Sequence, residues 1–426
     1  MQGHKVKTAA LTAAMTAFIA GGLSSTQALA TEGYFQPGYS AIQKSLAGSG
    51  SANPEDPMTL AFNPAGLASV GQEFEFDLSL FSPSRGYKAS GTYFVAPGNV
   101  KSGWPDFVLP AVGYSEPIDA HSAWGIAIYG NGGMNTNYPG STPNPNCGPY
   151  SGVFCAGKTG VNLSQIFISP GYAWKSGNWS FGVAPIFAIQ MFDTKGLYAF
   201  TPYSISPTNM TNRGISYSYG GGVRLGVLFD VSPDVRLSLA GATPMWMSKF
   251  SKYKGLFAGG GAFDIPANIT LGVAWDVAPD LTLMADYKHI FYSTVDSVGR
   301  STTAPYPFGS NNGPGFSWDD VDAISVAAEW HATPDWTLRA GYAHNNNPIA
   351  SGDVTINILA PGVVTDHIAV GATRNIGSHS KLDASLIYVP ENSVTGHEVT
   401  PGGPTPGLIK LYMHQWDFTI GYRYDF

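Results

Sequence analysis

The chain ends in a strict two-residue alternation. Trp416, Phe418, Ile420, Tyr422, Tyr424 and Phe426 take every second place, and Asp417, Thr419, Gly421, Arg423 and Asp425 fall between them. A strand points successive side chains to opposite faces, so this stretch has one aromatic, apolar face and one charged or small face. As a soluble edge strand it would be a template for aggregation. As a wall strand of a transmembrane barrel it puts the apolar face on lipid and the other on a polar lumen. The pattern therefore predicts an all-β chain, a transmembrane antiparallel β-barrel with this strand closing the wall.

The other end of the chain agrees. His4, Lys5 and Lys7 form a positive start, a short apolar run follows, and Ala28-Leu29-Ala30 reads as a cleavage site. Residues 1–30 are predicted to be a signal peptide, so the mature chain is exported. The apolar run is too short and too broken for a spanning helix. Strands in a closed barrel satisfy every backbone polar group and so remain the way across a membrane. Export plus a barrel places the chain in a Gram-negative outer membrane.

Composition fits a wall with two unlike faces. Charged residues make up 12% and aromatic residues 13% of the chain, with 52 glycines. Ordinary globular chains carry about 25% charge. The formal net charge is −7. With no Lys/Arg cluster, this argues against a nucleic-acid partner.

Short turns recur through the middle of the chain. Asp230-Val-Ser-Pro-Asp234, Asp276-Val-Ala-Pro-Asp280 and His331-Ala-Thr-Pro-Asp335 each separate two alternating runs. Pro followed by Asp suits a tight turn. Further short turns are expected at 116–122, 175–178 and 376–380, and long polar loops at about 83–104, 131–160, 193–214, 247–265, 295–319, 346–363 and 391–411. Short turns alternating with long loops join 14 strands, the architecture of outer-membrane barrels, and the barrel is assigned to residues 71–426. Residues 31–70 precede the first strand. They lack alternation but hold buried-type side chains (Ile42, Leu46, Met58, Leu60, Phe62), and a plug inside the lumen is one reading of them.

Cys147 and Cys155 are the two cysteines, and an exported chain sees an oxidising compartment, so a local disulfide is expected. The inward positions Arg224, Asp286, Glu329, Arg339, Asp417, Arg423 and Asp425 are expected to pair with one another in the lumen. The histidines are scattered, and no HExxH, G-x-S-x-G or zinc-ligand spacing occurs. No catalytic residue, metal ligand or cofactor is therefore assigned. A diffusion porin, general or substrate-selective, is the alternative reading. A porin starts its first strand soon after cleavage, and this chain does not.

These features together resemble the FadL/TodX (OMPP1) family of outer-membrane long-chain fatty-acid and hydrocarbon transporters. The resemblance rests on Gly33-Tyr34-Phe35, Ala47-Gly48 and Asn63-Pro64-Ala65-Gly66-Leu67 near the start. It rests also on Phe250-Ser-Lys-Tyr-Lys-Gly-Leu-Phe257 with Gly261-Ala-Phe263, and on the strand count and terminal aromatic. It implies that residues 31–70 form a hatch whose movement opens a sideways exit beside the third strand for a hydrophobic ligand. By the same resemblance, Tyr34 and Phe35 contact ligand, and Asn63, Pro64 and Ala65 fix the hatch to the wall. Met245, Trp246, Met247, Phe250, Leu256 and Phe257 line an outer landing groove, an interfacial aromatic girdle being the alternative for Trp246. Gly130, Gly132 and Gly133 mark the kinked third strand. The partners implied are a fatty acid or hydrocarbon, outer-membrane lipid and lipopolysaccharide, and the barrel-assembly machinery, acting on a monomer.

Overall fold

The protein is described here by a computed structural model covering residues 32–400 and 402–426, and the expected signal peptide at 1–30 lies outside these residues. Fourteen wall strands follow one another in chain order. They are β1 (Glu73–Ser90), β2 (Phe107–Pro117), β3 (Ser122–Asn135), β4 (Gly160–Ser176), β5 (Trp179–Lys195), β6 (Ser216–Ser232) and β7 (Val235–Ala242). The second half comprises β8 (Asn268–Ala278), β9 (Leu281–Ile290), β10 (Val321–Thr333), β11 (Trp336–Asn345), β12 (Asp366–Ile376), β13 (Ser380–Thr400) and β14 (Gly403–Asp425). Neighbours pair antiparallel, and β14 pairs back onto β1 from Glu73↔Asp425 to Ser90↔Leu408, which closes the barrel and removes its edges. Two short strands, Gly98–Lys101 and Trp246–Met247, lie on β1 and β6.

The alternation read from the sequence is the alternation of the wall. Trp416, Phe418 and Ile420 are exposed on the outside while Asp417, Thr419 and Arg423 are buried on the inside. In β5, Trp179 and Phe187 point out while Ser180, Ala184 and Ala188 point in. Two expected loops are corrected. Much of 83–104 and 391–411 is strand, because β1 runs to Ser90 and β13 and β14 form a hairpin of 21 and 23 residues. Pro83 suggested a loop. It is tolerated in β1 because the strand there has a neighbour on one side alone, between Phe81↔Phe107 and Gly86↔Lys101.

Residues 32–70 lie within the ring of strands. A short helix, α1 (Ala41–Ser45), is capped by Ser40, whose Oγ accepts from the Gln43 N–H. Tight turns follow at Pro57–Ala61 and Pro64–Ser69. The segment is tied to the wall by charge. Lys44 pairs with Asp417 at 2.7 Å, and Arg339 pairs with Glu329 at 2.5 Å and also with Glu55. Asp286 accepts from Ser49 Oγ and the Gly50 N–H, both at 2.7 Å. Arg423 pairs with Asp383 at 2.8 Å, and Asp425 at the rim pairs with Lys381 at 2.9 Å. Arg224 instead donates to the Phe62 carbonyl at 3.2 Å. Buried charges persist where they are paired and hydrogen-bonded, and these partners come from the N-terminal segment or the adjacent strand.

Candidate ligand path

The seam between β2 and β3 is interrupted. The ladder between β2 and β3 runs from Pro117↔Ala123 to Ala111↔Tyr129 and stops there. The next residue of β2 is Pro110, which has no N–H to donate. β3 continues to Asn135 but pairs only with β4, and Asn131 bulges out of that ladder between Gly130↔Ile166 and Gly132↔Gln165. Residues 107–110 and 130–135 therefore flank an opening with no ladder across it. Gly130, Gly132 and Gly133 all lie at this bulge.

The first described residues cover the opening from inside. Phe35 bridges Gly132, and the Gly133 N–H donates to the Tyr34 carbonyl at 3.2 Å. Gln36 Nε2 donates to the Gly130 carbonyl at 2.6 Å, and Tyr39 Oη donates to Asn131 Oδ1 at 3.1 Å. Gly132 is required by this contact, since a Cβ there would lie 1.7 Å from the Tyr34 carbonyl oxygen. The stretch is anchored further by Lys288, which pairs with Glu32 at 2.8 Å, and by Tyr292, whose hydroxyl donates to the Glu32 carbonyl and accepts from the Tyr34 N–H.

Two apolar cavities flank this stretch. One, of about 20 Å³, lies behind the opening and is lined by Phe81, Met134, Trp318, Met413 and the Ala360–Gly362 turn, with Arg85 and Asn135 at its polar end. The other, of about 40 Å³, lies among the long loops and is lined by Phe192, Phe200, Leu256, Phe257, Phe308 and Phe316 among others. A layer of aromatic rings separates them. Phe257 meets Phe263 at 4.9 Å, Phe263 meets Tyr34 at 6.3 Å, and Tyr34 meets Tyr292 at 5.0 Å and Trp318 at 6.0 Å. Phe35 packs edge-on against both Tyr34 and Tyr292. Burial holds the Tyr34 and Tyr292 phenols well above their ordinary ionisation range, so the layer carries no charge.

The expected groove residues separate into groups. Leu256 and Phe257 line the loop cavity, and Phe250 stands behind them against Phe192 and Phe257. Met245 is buried in a bridge to Ile265, and Met247 receives its fix from Asp264, to which its N–H donates. Trp246 is 63% exposed on the outer face, away from the groove. Asn63 caps the turn that begins at Pro64, accepting from the Ala65 N–H, and its Nδ2 donates to the Val227 carbonyl of β6 at 3.3 Å. Cys147 and Cys155 are joined by a disulfide in the loop between β3 and β4. The sequence reading missed Tyr292 and Trp318, which sit in loops without periodicity, and Arg85, which it placed in a loop.

The family described as outer membrane protein transport protein (OMPP1/FadL/TodX) matches residues 22–426. A long-chain fatty acid transport protein of Salmonella typhi is 20% identical over 357 residues, covering 76% of this chain and 77% of that protein. The crystal structure of the toluene transporter TodX of P. putida superposes with a TM-score of 0.67 at 16% identity, covering 92% of this chain and 99% of the other. A FadL homologue of Pseudomonas aeruginosa superposes with a TM-score of 0.68 at 17% identity, covering 92% and 100%. At these identities the superpositions carry the fold.

Proposed function

Since the chain belongs to the OMPP1/FadL/TodX family of outer membrane transport proteins, we propose that it admits long-chain fatty acids, and secondly aromatic or alkane hydrocarbons, by hatch movement and sideways release through the β2–β3 seam. It is an outer-membrane barrel and a transporter, not an enzyme. The observation that carries the finer reading is a double role. Tyr34 and Phe35 both cover the seam and stand in the ring layer between the two cavities. One displacement of residues 32–39 would join the cavities and bare the seam together. A ligand landing among the loops would follow an apolar route and leave into the lipid, where each buried CH₂ contributes roughly 0.8 kcal/mol. The substrate order rests on the named ligands of the relatives, a fatty acid in one and toluene in another.

The test is the double substitution Tyr34→Ala with Phe35→Ala, assayed for binding and whole-cell uptake of oleate and toluene at matched surface level. Each lost aromatic removes roughly 1.5–3 kcal/mol of apolar contact when fully buried. Affinity should fall by about tenfold or more. Unchanged affinity and uptake for both ligands would remove these residues from the path. Efficient uptake of a small sugar by the intact protein would favour a porin.

A further inference from the structure

Glu75 and Asp77 are two buried carboxyl groups that the ion pairs of the lumen leave out. They stand two places apart on the inner face of β1, and each is 1% exposed. Glu73 precedes them on the same face. Across from them β14 brings Arg423 and Asp425, and β13 beyond it brings Lys381 and Asp383. The interior segment brings Glu55 and Asp56, and behind Glu55 stand Glu329 of β10 and Arg339 of β11. On the other side β2 offers Ser115, Gly113 and Ala111, which carry no charge. These named groups are eight carboxyls and three cations.

The cations are committed elsewhere. Arg423 lies directly across from Glu75 in register, yet its guanidinium goes to Asp383 at 2.8 Å, the Glu55 carbonyl at 3.2 Å and Glu73 at 3.5 Å. Lys381 takes Glu73 at 3.1 Å and Asp425 at 2.9 Å, and Arg339 takes Glu329 and Glu55. Lys44 on α1 is taken by Asp417. Asp56, Glu75 and Asp77 form no ion pair among the described residues. They are the seat of α1 instead. Asp77 Oδ1 accepts from the Ala41 N–H at 2.8 Å, and Asp56 Oδ2 accepts from Ser40 Oγ at 2.7 Å. The other Asp77 oxygen and Glu75 Oε2 receive no donor, and Glu75 lies within hydrogen-bonding reach of Asp77. Two adjacent carboxyls out of water resist ionising together. One proton held between them removes a charge and supplies the missing donor. No group of His, Cys, Asp and Glu among the described residues has the arrangement of a metal site, so a proton is the ligand this pair can take.

We propose that Glu75 and Asp77 hold one proton between them as the latch that seats α1, so that closure of the lumen depends on pH. With the proton in place, Asp77 keeps the Ala41 N–H and the bond to Glu75 completes the seat. With the proton gone, Asp56, Glu75 and Asp77 are three neighbouring anions with no cation to serve them, and their repulsion drives the segment off β1. The released state lets water reach both groups and binds one proton fewer. Seating is therefore complete at low pH and is lost as pH rises through the titration of the pair. This rests on the reading that movement of the N-terminal segment opens the path, and it adds what controls that movement.

The test follows the full-length protein in lipid bilayers from about pH 5 to about pH 9, above the ordinary carboxyl value of about 4. Hydrogen-exchange protection factors at the amides of residues 41–45 should hold at the acid end and then fall about tenfold per pH unit, the slope for one proton. Planar-bilayer conductance should rise severalfold over the same interval. Glu75→Gln and Asp77→Asn each place an amide donor where the proton stood, so each should stay protected and closed throughout. Asp230→Asn, in an exposed turn, should keep the wild-type profile. A flat wild-type profile overturns the latch, even if neither variant folds. So does a wild-type profile that survives in both variants. If oleate or toluene crosses and the profile is flat, transport stands and the latch alone fails. If the profile is found and neither ligand crosses at any pH, the latch stands and the transport reading falls.

Discussion

Gly132 is the residue on which wall and N-terminal segment depend together. Its missing side chain lets the Tyr34 carbonyl approach to a distance no Cβ permits. Gly132→Val should expel residues 32–39 from the bulge without unfolding the barrel, because β3 keeps its ladder to β4 on the other side. Planar-bilayer conductance should rise severalfold, and an unchanged, heat-modifiable barrel with wild-type conductance would refute this. Single residues were legible in the sequence to different degrees. The Gly130–Gly133 cluster and Tyr34-Phe35 stood out by resemblance to the family. Tyr292 and Trp318 did not, since a loop residue carries no period and its partners lie far away in the chain. Arg85 was hidden by Pro83 two places earlier, which read as the end of a strand.

Among elements, β14 was the most legible because it shows its faces without interruption. It pairs with β1 and β13 at once, and Phe426 reaches back to β1's entry, its N–H donating to the Gln72 carbonyl at 3.1 Å and its ring lying 6.3 Å from Tyr114. Phe426→Asp places a charge at this lipid-facing closure. Outer-membrane levels should drop severalfold while precursor accumulates in the periplasm, as read by fractionation and immunoblot, and normal levels would show that closure does not depend on this end. The short turns lay where Pro and Asp fell, because turn chemistry is local. The long hairpin was misread because Gly and Pro at 401–407 look like a loop, although the chain on both sides of it is paired. Trp246, for which the sequence left a groove or an interfacial girdle open, is exposed where its two-residue strand pairs with β6.

At the scale of the whole molecule, residues 32–70 carry charges that answer those of the inner wall. Removing residues 32–70 from the mature chain would leave Asp417 without Lys44, Arg339 without Glu55, and Asp286 without its donors from Ser49, Gly50 and Ser51. Water would then solvate these groups in a wider bore. Such a barrel should still fold, melt at a lower temperature, and pass small ions at several times the intact conductance. Conductance no greater than that of the full chain would show that the segment does not block the lumen. The hairpin of β13 and β14 bears on a different property, the distance at which capture begins. At roughly 3.4 Å per residue its arms reach about 70 Å along the strand. With the usual tilt they rise far beyond a lipid-facing band about 25 Å tall. Near the top, Glu398 accepts from the backbone N–H groups of Tyr93, Phe94 and Val95, and Phe94 packs on Phe200 at the margin of the loop cavity. The mouth is thus carried on a mast well above the lipid-facing band. Under the proposed transport function, a sparingly soluble molecule drifting in from water would meet an apolar face well before it reaches the membrane.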